Sequence, residues 1–406
     1  MVDEVDILIA GAGQVGLATA VAIVSARPSL RVMVMDAAPR DAWQKDGRAS
    51  AIAAAAMRML DRLGCAADLM EHAQPIREMT ITDSRTGDPV RPVLLTFDGE
   101  VGPGEPFAHM VPNRILGTAL RRRMDELGIP IVNDVSVEDF TPGAARVEVR
   151  LSDGRTIGAR LLIAADGVRS RLRELAGIGV VRFDYGQAGI VCTVAHERPH
   201  GGRAEEHFLP AGPFATLPLK GNRCCVVWTE SSEEAERLVK ADPLLFTMEL
   251  ERRFGLELGA ISVEDQPRAW PLALQLARSF VTPRFALAGD AAHGIHPIAG
   301  QGVNLGFRDV AALAETIVEA DRLGRDIGAL DVLRRYERWR RFDTVRMGFT
   351  TDILNRLFSN DFTPLRIARE IGLGLVDRMP VLKDYFIREA AGVAGASPRL
   401  LRGQPI

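Results

Sequence analysis

The chain has 406 residues, 47% of them hydrophobic and 25% charged, with a formal net charge of −3. That length exceeds what one hydrophobic core usually organises, so two domains or one domain with large excursions are expected, and the near-neutral charge gives no reason to expect a nucleic-acid partner. The four cysteines, Cys65, Cys192, Cys224 and Cys225, contain no CxxC, so neither a disulfide framework nor a metal site is indicated, and a cytoplasmic setting is expected. No run approaches the roughly 18 apolar residues of a membrane span, and Asp3, Glu4 and Asp6 stand where a signal peptide would be basic.

The first element is VDILIA at residues 5–10, an apolar run suited to a strand buried in a parallel sheet. Gly11-Ala12-Gly13-Gln14-Val15-Gly16 follows directly. In such a loop Gly11 permits the tight turn, Gly13 lets the backbone approach a pyrophosphate, and Gly16 lets the next helix pack close to the strand. That helix, expected over residues 14–25, aims its N-terminal amides at the phosphates. RVMVM at residues 31–35 is the second strand, and Asp36 at its end stands about twenty positions beyond Gly16, where an acid accepts hydrogen bonds from a ribose. Strand, helix, strand and acid make a dinucleotide fingerprint that does not choose between NAD and FAD.

Asp46-Gly47-Arg48-Ala49-Ser50 then opens an alanine-rich segment with helical periodicity over residues 51–63. Arg48 either reaches a cofactor phosphate or is an exposed arginine at a helix start. From Met79 a hairpin is expected in a Gly/Pro-rich excursion ending at Phe107. Val111-Pro112-Asn113-Arg114 leads into an amphipathic helix to Leu127 and a strand at IPIV. A further strand ends in Ala165-Asp166-Gly167, where α/β proteins place ligand-contacting groups. Residues 181–274 lose the βαβ rhythm and are expected to form an antiparallel sheet, with helices at residues 232–239 and 243–254. RFALA at residues 284–288 returns to a strand ended by Gly289-Asp290. Beyond it, Pro297-Ile298-Ala299-Gly300-Gln301-Gly302-Val303-Asn304 brings backbone with little side-chain cover to the start of a long helix over residues 303–320. Amides placed there stabilise negative charge on a reduced flavin ring.

The expected fold is α/β: a Rossmann-like FAD-binding domain from residues 1–75, 108–180 and 275–345, an interleaved antiparallel-sheet substrate domain from 76–107 and 181–274, and a C-terminal helical region from 346–406. GAGQVG at 11–16, DGRASAI at 46–52, VPNRILGTAL at 111–120, AADGVRSRLR at 164–173, VWTE at 227–230 and GDAAHGIHPIAGQGVNLGFRD at 289–309 together resemble the single-component FAD-dependent aromatic hydroxylases typified by para-hydroxybenzoate hydroxylase. More narrowly, the long last motif resembles the ubiquinone-biosynthesis hydroxylase branch.

The resemblance implies that Gly11, Gly13, Gln14, Val15, Gly16 and Asp36 hold the ADP half of FAD, with Arg48 and Arg114 assisting. It places Asp166 in a motif linked to FAD and NAD(P)H, and Gly289 and Asp290 on the ribityl chain. Pro297, Gly300, Gln301, Gly302, Val303 and Asn304 are implied to meet the ring. The implied reaction is reduction of FAD by NAD(P)H or another donor, then O2 capture as a C4a-hydroperoxyflavin and oxygen transfer to a phenol ring, with no metal. His296, beside Pro297, is the candidate for helping to deprotonate the phenol, with His293 near it. With only Tyr185, Tyr336 and Tyr385 in the chain, the tyrosine relay of the para-hydroxybenzoate enzyme is not visible, which favours a lipophilic, prenylated phenol. The amphipathic segment at residues 371–391 is a candidate for peripheral contact with the inner membrane or with partners in a quinone-biosynthesis complex, and a homo-oligomer is left open. The alternatives are a hydroxylase of a small soluble phenol or polyketide, and a non-catalytic flavin-binding subunit.

Overall fold

The computed structural model describes residues 3–84, 91–98, 100–295, 301–358, 387–394 and 397–406. Its first sheet is built around strand β1, Asp3–Ala10, with β2, Val32–Met35, parallel on one side and the strand Thr156–Ala164 parallel on the other. Ile7, Leu8 and Ile9 are fully buried, so this strand is covered on both faces and shows a continuous apolar run in place of alternation. Helix α1, Gln14–Ala26, is apolar all round because it lies between the sheet and the long helix Gln301–Arg322. Phe285–Leu287 joins Thr156–Ala164 in parallel, and Val147–Leu151 and Val137–Pro142 close the edge antiparallel.

The alanine-rich segment departs from expectation. Ala49–Ala53 is a strand paired antiparallel with Ala108–Pro112, and the helix begins only at Ala54–Arg62. Asn304 secures it: its Nδ2 donates to Ala51 O at 2.8 Å, and Ala53 N donates to its Oδ1 at 2.9 Å. Pairing with chain distant in sequence overrides the local helical preference of alanine.

Among the described residues the second sheet has nine strands. It is antiparallel through most of residues 180–277, including the pairs of Val180–His196 with Arg223–Ser231 and with Arg268–Ala277. Arg203–Leu209, however, runs parallel to Glu78–Asp83, which in turn forms the expected hairpin with Val93–Asp98. The sheet also reaches into the second glycine motif, where His293–Gly294 pairs with Gln275 and Leu276. Helices Ser232–Val239 and Pro243–Phe254, capped by the Ser231 and Asp242 side chains, cover one face over Trp228 and Phe214, with Phe246 of the second helix packed on Trp228. The opposite face, with Val191, Thr193, Cys225 and Trp270, looks toward the first sheet across a cavity. Helix Leu330–Phe358 packs on the first sheet's edge and the long helix. Among the described residues no helix is long and apolar enough to cross a membrane. Residues 371–386 of the amphipathic C-terminal segment lie outside the described residues.

Candidate active site

The first motif is shaped by backbone contact. Gly11 has φ +111°, and a Cβ there would fall 2.2 Å from Ala165 O; a Cβ on Gly16 would fall 1.9 Å from Gly11 O. Neither position accepts another residue. At Gly13, where α1 begins, a Cβ would meet nothing within 4 Å, so its missing side chain leaves room at the helix N-terminus and not in the protein's own packing. Asp36, at the end of β2, accepts from Ala12 N at 2.6 Å and from Ala38 N at 2.7 Å, which fixes its carboxylate against the glycine loop.

The second motif sits beside the first because Val15 fills the space that Gly289 and Gly306 leave open; Cβ atoms there would lie 3.0 and 2.5 Å from Val15 Cγ2. Gly289, at φ +62°, donates its N–H to the fully buried Asp309 at 2.8 Å. Asp309 also takes His293 Nε2 at 2.6 Å and Arg340 Nε at 2.7 Å. Burial pushes the Asp309 carboxyl up, but His293 and Arg340 outweigh it and hold it below the usual range. Asp343, between Arg308 and Arg340, is likewise raised by burial and more strongly lowered by the two guanidiniums, to about 2. His293 is therefore committed to Asp309.

Asp290 stays outside this network with an exposed side chain. The protein packed around it raises its carboxyl, opposed by His293 and Arg48. Arg173, almost fully buried, ties the Asp166 turn to the Asp290 turn by donating to Val168 O at 3.2 Å and Ala291 O at 2.9 Å. Asp166 presents a buried Oδ1 with no hydrogen-bond partner, while its Oδ2 accepts from Leu172 N at 3.3 Å. At the start of the long helix a Cβ on Gly302 would meet nothing within 4 Å, Val303 is half-buried against the core, and Asn304 is engaged by the Ala49–Ala53 strand. Gln301 opens that helix. His296, Pro297 and Gly300 lie outside the described residues.

A cavity of about 560 Å³ runs from Gly13 and Asp36 to the second sheet. Arg48 lines it, paired with Asp46 at 2.8 Å and stacked over Trp270 at 5.4 Å. Arg114 is exposed and is not among the lining residues. Arg121, two helical turns on, does line the cavity. Arg173 and Asp309 end two of the quoted motifs but had no role assigned there, and the sequence carried no local signal for Arg121 or Arg340, because each acquires its place through contacts with distant chain.

These features fit FAD. Gly13 leaves an open cradle at a helix N-terminus, Asp36 lines the cavity beside it, Asp290 keeps an exposed carboxylate near Arg48, and Asp166 holds an orphaned buried acceptor. Residues 4–341 match the family described as FAD binding domain. The chain is 44% identical over 99% of its length to ubiquinone hydroxylase UbiL of Rhodospirillum rubrum, covering 93% of that protein. It is 33% identical to the 3-demethoxyubiquinol 3-hydroxylase of Escherichia coli, over 96% of this chain and 98% of the other. The p-nitrophenol 4-monooxygenase PnpA of Pseudomonas putida shares the fold, with a TM-score of 0.80 at 18% identity over 97% of this chain and 100% of that one. The chain thus belongs to the FAD-binding family, in its branch of ubiquinone-biosynthesis hydroxylases, and is an FAD-dependent monooxygenase.

Proposed function

We propose that the protein inserts one oxygen atom from O2 into the ring of a prenylated phenol in ubiquinone biosynthesis, with NAD(P)H as the electron donor. The observation that carries this reading is the end-to-end similarity to ubiquinone hydroxylase UbiL. FAD, when bound, supplies the redox chemistry and oxygen activation that amino-acid side chains lack. The protein's part is binding, orientation and exclusion of water. The α1 N-terminus and Gly13 receive the phosphates, Asp36 the adenosine ribose, and Asp290 the ribityl hydroxyls. Asp166 Oδ1 offers a further acceptor.

We assign cofactor binding to residues 1–75, 108–180 and 275–345 and substrate binding to 76–107 and 181–274. The apolar face of the second sheet, including Val191 and Cys225, lines the cleft and keeps water from the reacting groups. Burial pushes the Cys225 thiol up to about 12, so it stays protonated and does not compete as a nucleophile. His296 beside Pro297 is assigned the phenol proton on sequence alone.

The test is anaerobic reduction of the FAD-loaded protein by NADPH, with and without a short-tail prenylated phenol, followed by oxygen and mass analysis of the ring. A product heavier by one oxygen is expected, and its position names the step. Peroxide without ring product across a series of tail lengths would move the assignment to a small soluble phenol. Flavin that NADPH never reduces would remove NADPH as the donor.

A further inference from the structure

Arg121 lies on the helix Asn113–Glu126 just before two arginines that have partners: Arg122 pairs with Asp68 and Glu126, and Arg123 with Glu126. Arg121 differs, since among the described residues no carboxylate oxygen lies within 4.0 Å of its guanidinium. It points the other way, into the cavity wall shared with Gly13 and Asp36. Its guanidinium stacks on Trp43 at 5.1 Å, a cation–π contact that holds its orientation. Trp43 in turn lies against Gly117, where a Cβ would come within 3.2 Å of the ring, so this helix surface is shaped to seat the indole.

The hydrogen bonds of Arg121 are incomplete. Nη2 donates to Ala12 O at a long 3.4 Å, and Nε is buried with no partner. Asp36, the nearest carboxylate in the loop, is already taken by Ala12 N and Ala38 N. A buried guanidinium donor with no acceptor is costly, and an anion in the cavity would satisfy it. The neighbouring element is the N-terminus of α1 at Gly13, itself a phosphate cradle.

We infer that Arg121, braced by Trp43, is a phosphate-binding residue for the ADP half of FAD, where the resemblance implies Arg48 and Arg114 as the assisting arginines. This rests on the FAD-binding reading and adds a residue to it. The shared chemistry is a diphosphate, which a nicotinamide dinucleotide also carries, so the test separates the two.

Flavin-stripped wild type, Arg121→Ala, Arg121→Lys, Trp43→Phe and Arg114→Ala are titrated with FAD, riboflavin and ADP at several salt concentrations, by flavin fluorescence and ADP competition. Arg121→Ala is expected to weaken FAD and ADP by about 10- to 100-fold and to flatten the salt dependence, with riboflavin binding unchanged because it carries no phosphate. Arg121→Lys and Trp43→Phe should fall between, and Arg114→Ala should match wild type. FAD binding by Arg121→Ala within about twofold of wild type would overturn the inference. So would an equal loss of riboflavin, which marks a collapsed site, or a loss confined to the KM for NADPH, which gives the arginine to the reductant. If Arg121→Ala does not fold, Arg121→Lys decides by the same criteria. Wild type that binds ADP but not FAD would sink the proposed function, while the ADP titrations would still decide Arg121.

Discussion

Gly11–Gly16 and Gly289–Gly294 both deliver bare backbone to one cleft, but different forces hold them there. The first is shaped mainly by backbone sterics, the carbonyls of Gly11 and Ala165 filling the places of absent side chains, with the Asp36 carboxylate holding Ala12 N. The second is held mainly by buried charge: Asp309, itself held by Arg340, grips Gly289 and His293, and Arg173 reaches across to Ala291. A turn held by sterics is intolerant of a single methyl group. A turn held by ionised groups depends on protonation and on every partner in the network.

Breaking the charged anchor should cost most. Asp309→Ala leaves Gly289 N–H and His293 without their acceptor and Arg340 with only Asp343 and Leu305 O, and is expected to lower stability by about 3 kcal/mol. Urea unfolding of the flavin-free protein measures it, and a change under about 1 kcal/mol would show that the network is not what holds the second motif. Next comes Gly16→Ala, whose methyl would meet Gly11 O at 1.9 Å with no rotamer to escape into. A loss of about 2 kcal/mol is expected, unchanged between pH 5 and 8; recovery at either pH would contradict the steric account.

Acid should separate the motifs. Asp343 has its folded-state pKa depressed to about 2 from the ordinary 3.8, and Asp309 is shifted in the same direction. The contribution of Asp343 is therefore complete above pH about 4 and is lost as pH falls from about 4 to 2, amounting to at most about 2 kcal/mol, and that of Asp309 is lost in the same direction, on acidification. Urea midpoints followed down through this range should fall less steeply for Asp343→Asn than for wild type, and equal slopes would rule Asp343 out as the source.

The smallest effect on stability is expected at Gly13→Ala. Its methyl meets no protein atom within 4 Å, so the flavin-free variant should melt with wild type to within about 0.5 kcal/mol. FAD affinity should nevertheless fall, since the methyl occupies the phosphate cradle. A variant that melts early but binds FAD normally would place Gly13 in the packing and not in the site.

Much of this was readable along the chain. VDILIA, the glycine loop, α1, β2 and Asp36 are contiguous, and each carries a local signature of burial, turn chemistry or position. Helices Ser232–Val239 and Pro243–Phe254 announce themselves by Ser231 and Asp242 at their caps and Pro243 at the first turn. The Ala49–Ala53 strand was misread because alanine favours helix locally, and only Ala108–Pro112 and Asn304 make it a strand. The parallel alignment of Arg203–Leu209 with Glu78–Asp83 had no local sign at all, since strand pairing is decided by what lies alongside.

The sequence by itself determined the dinucleotide fingerprint, the two-part α/β plan and the chemical family, because these rest on short spacings and on motifs whose residue types the chemistry demands. Only the tertiary structure decided which arginine enters the cavity, that His293 serves Asp309, and that Arg173 joins the two acidic turns. A side chain's chemistry is written in the sequence, but its partner, burial and direction depend on chain that folding brings from far away, 253 residues for Asn304 and Ala51.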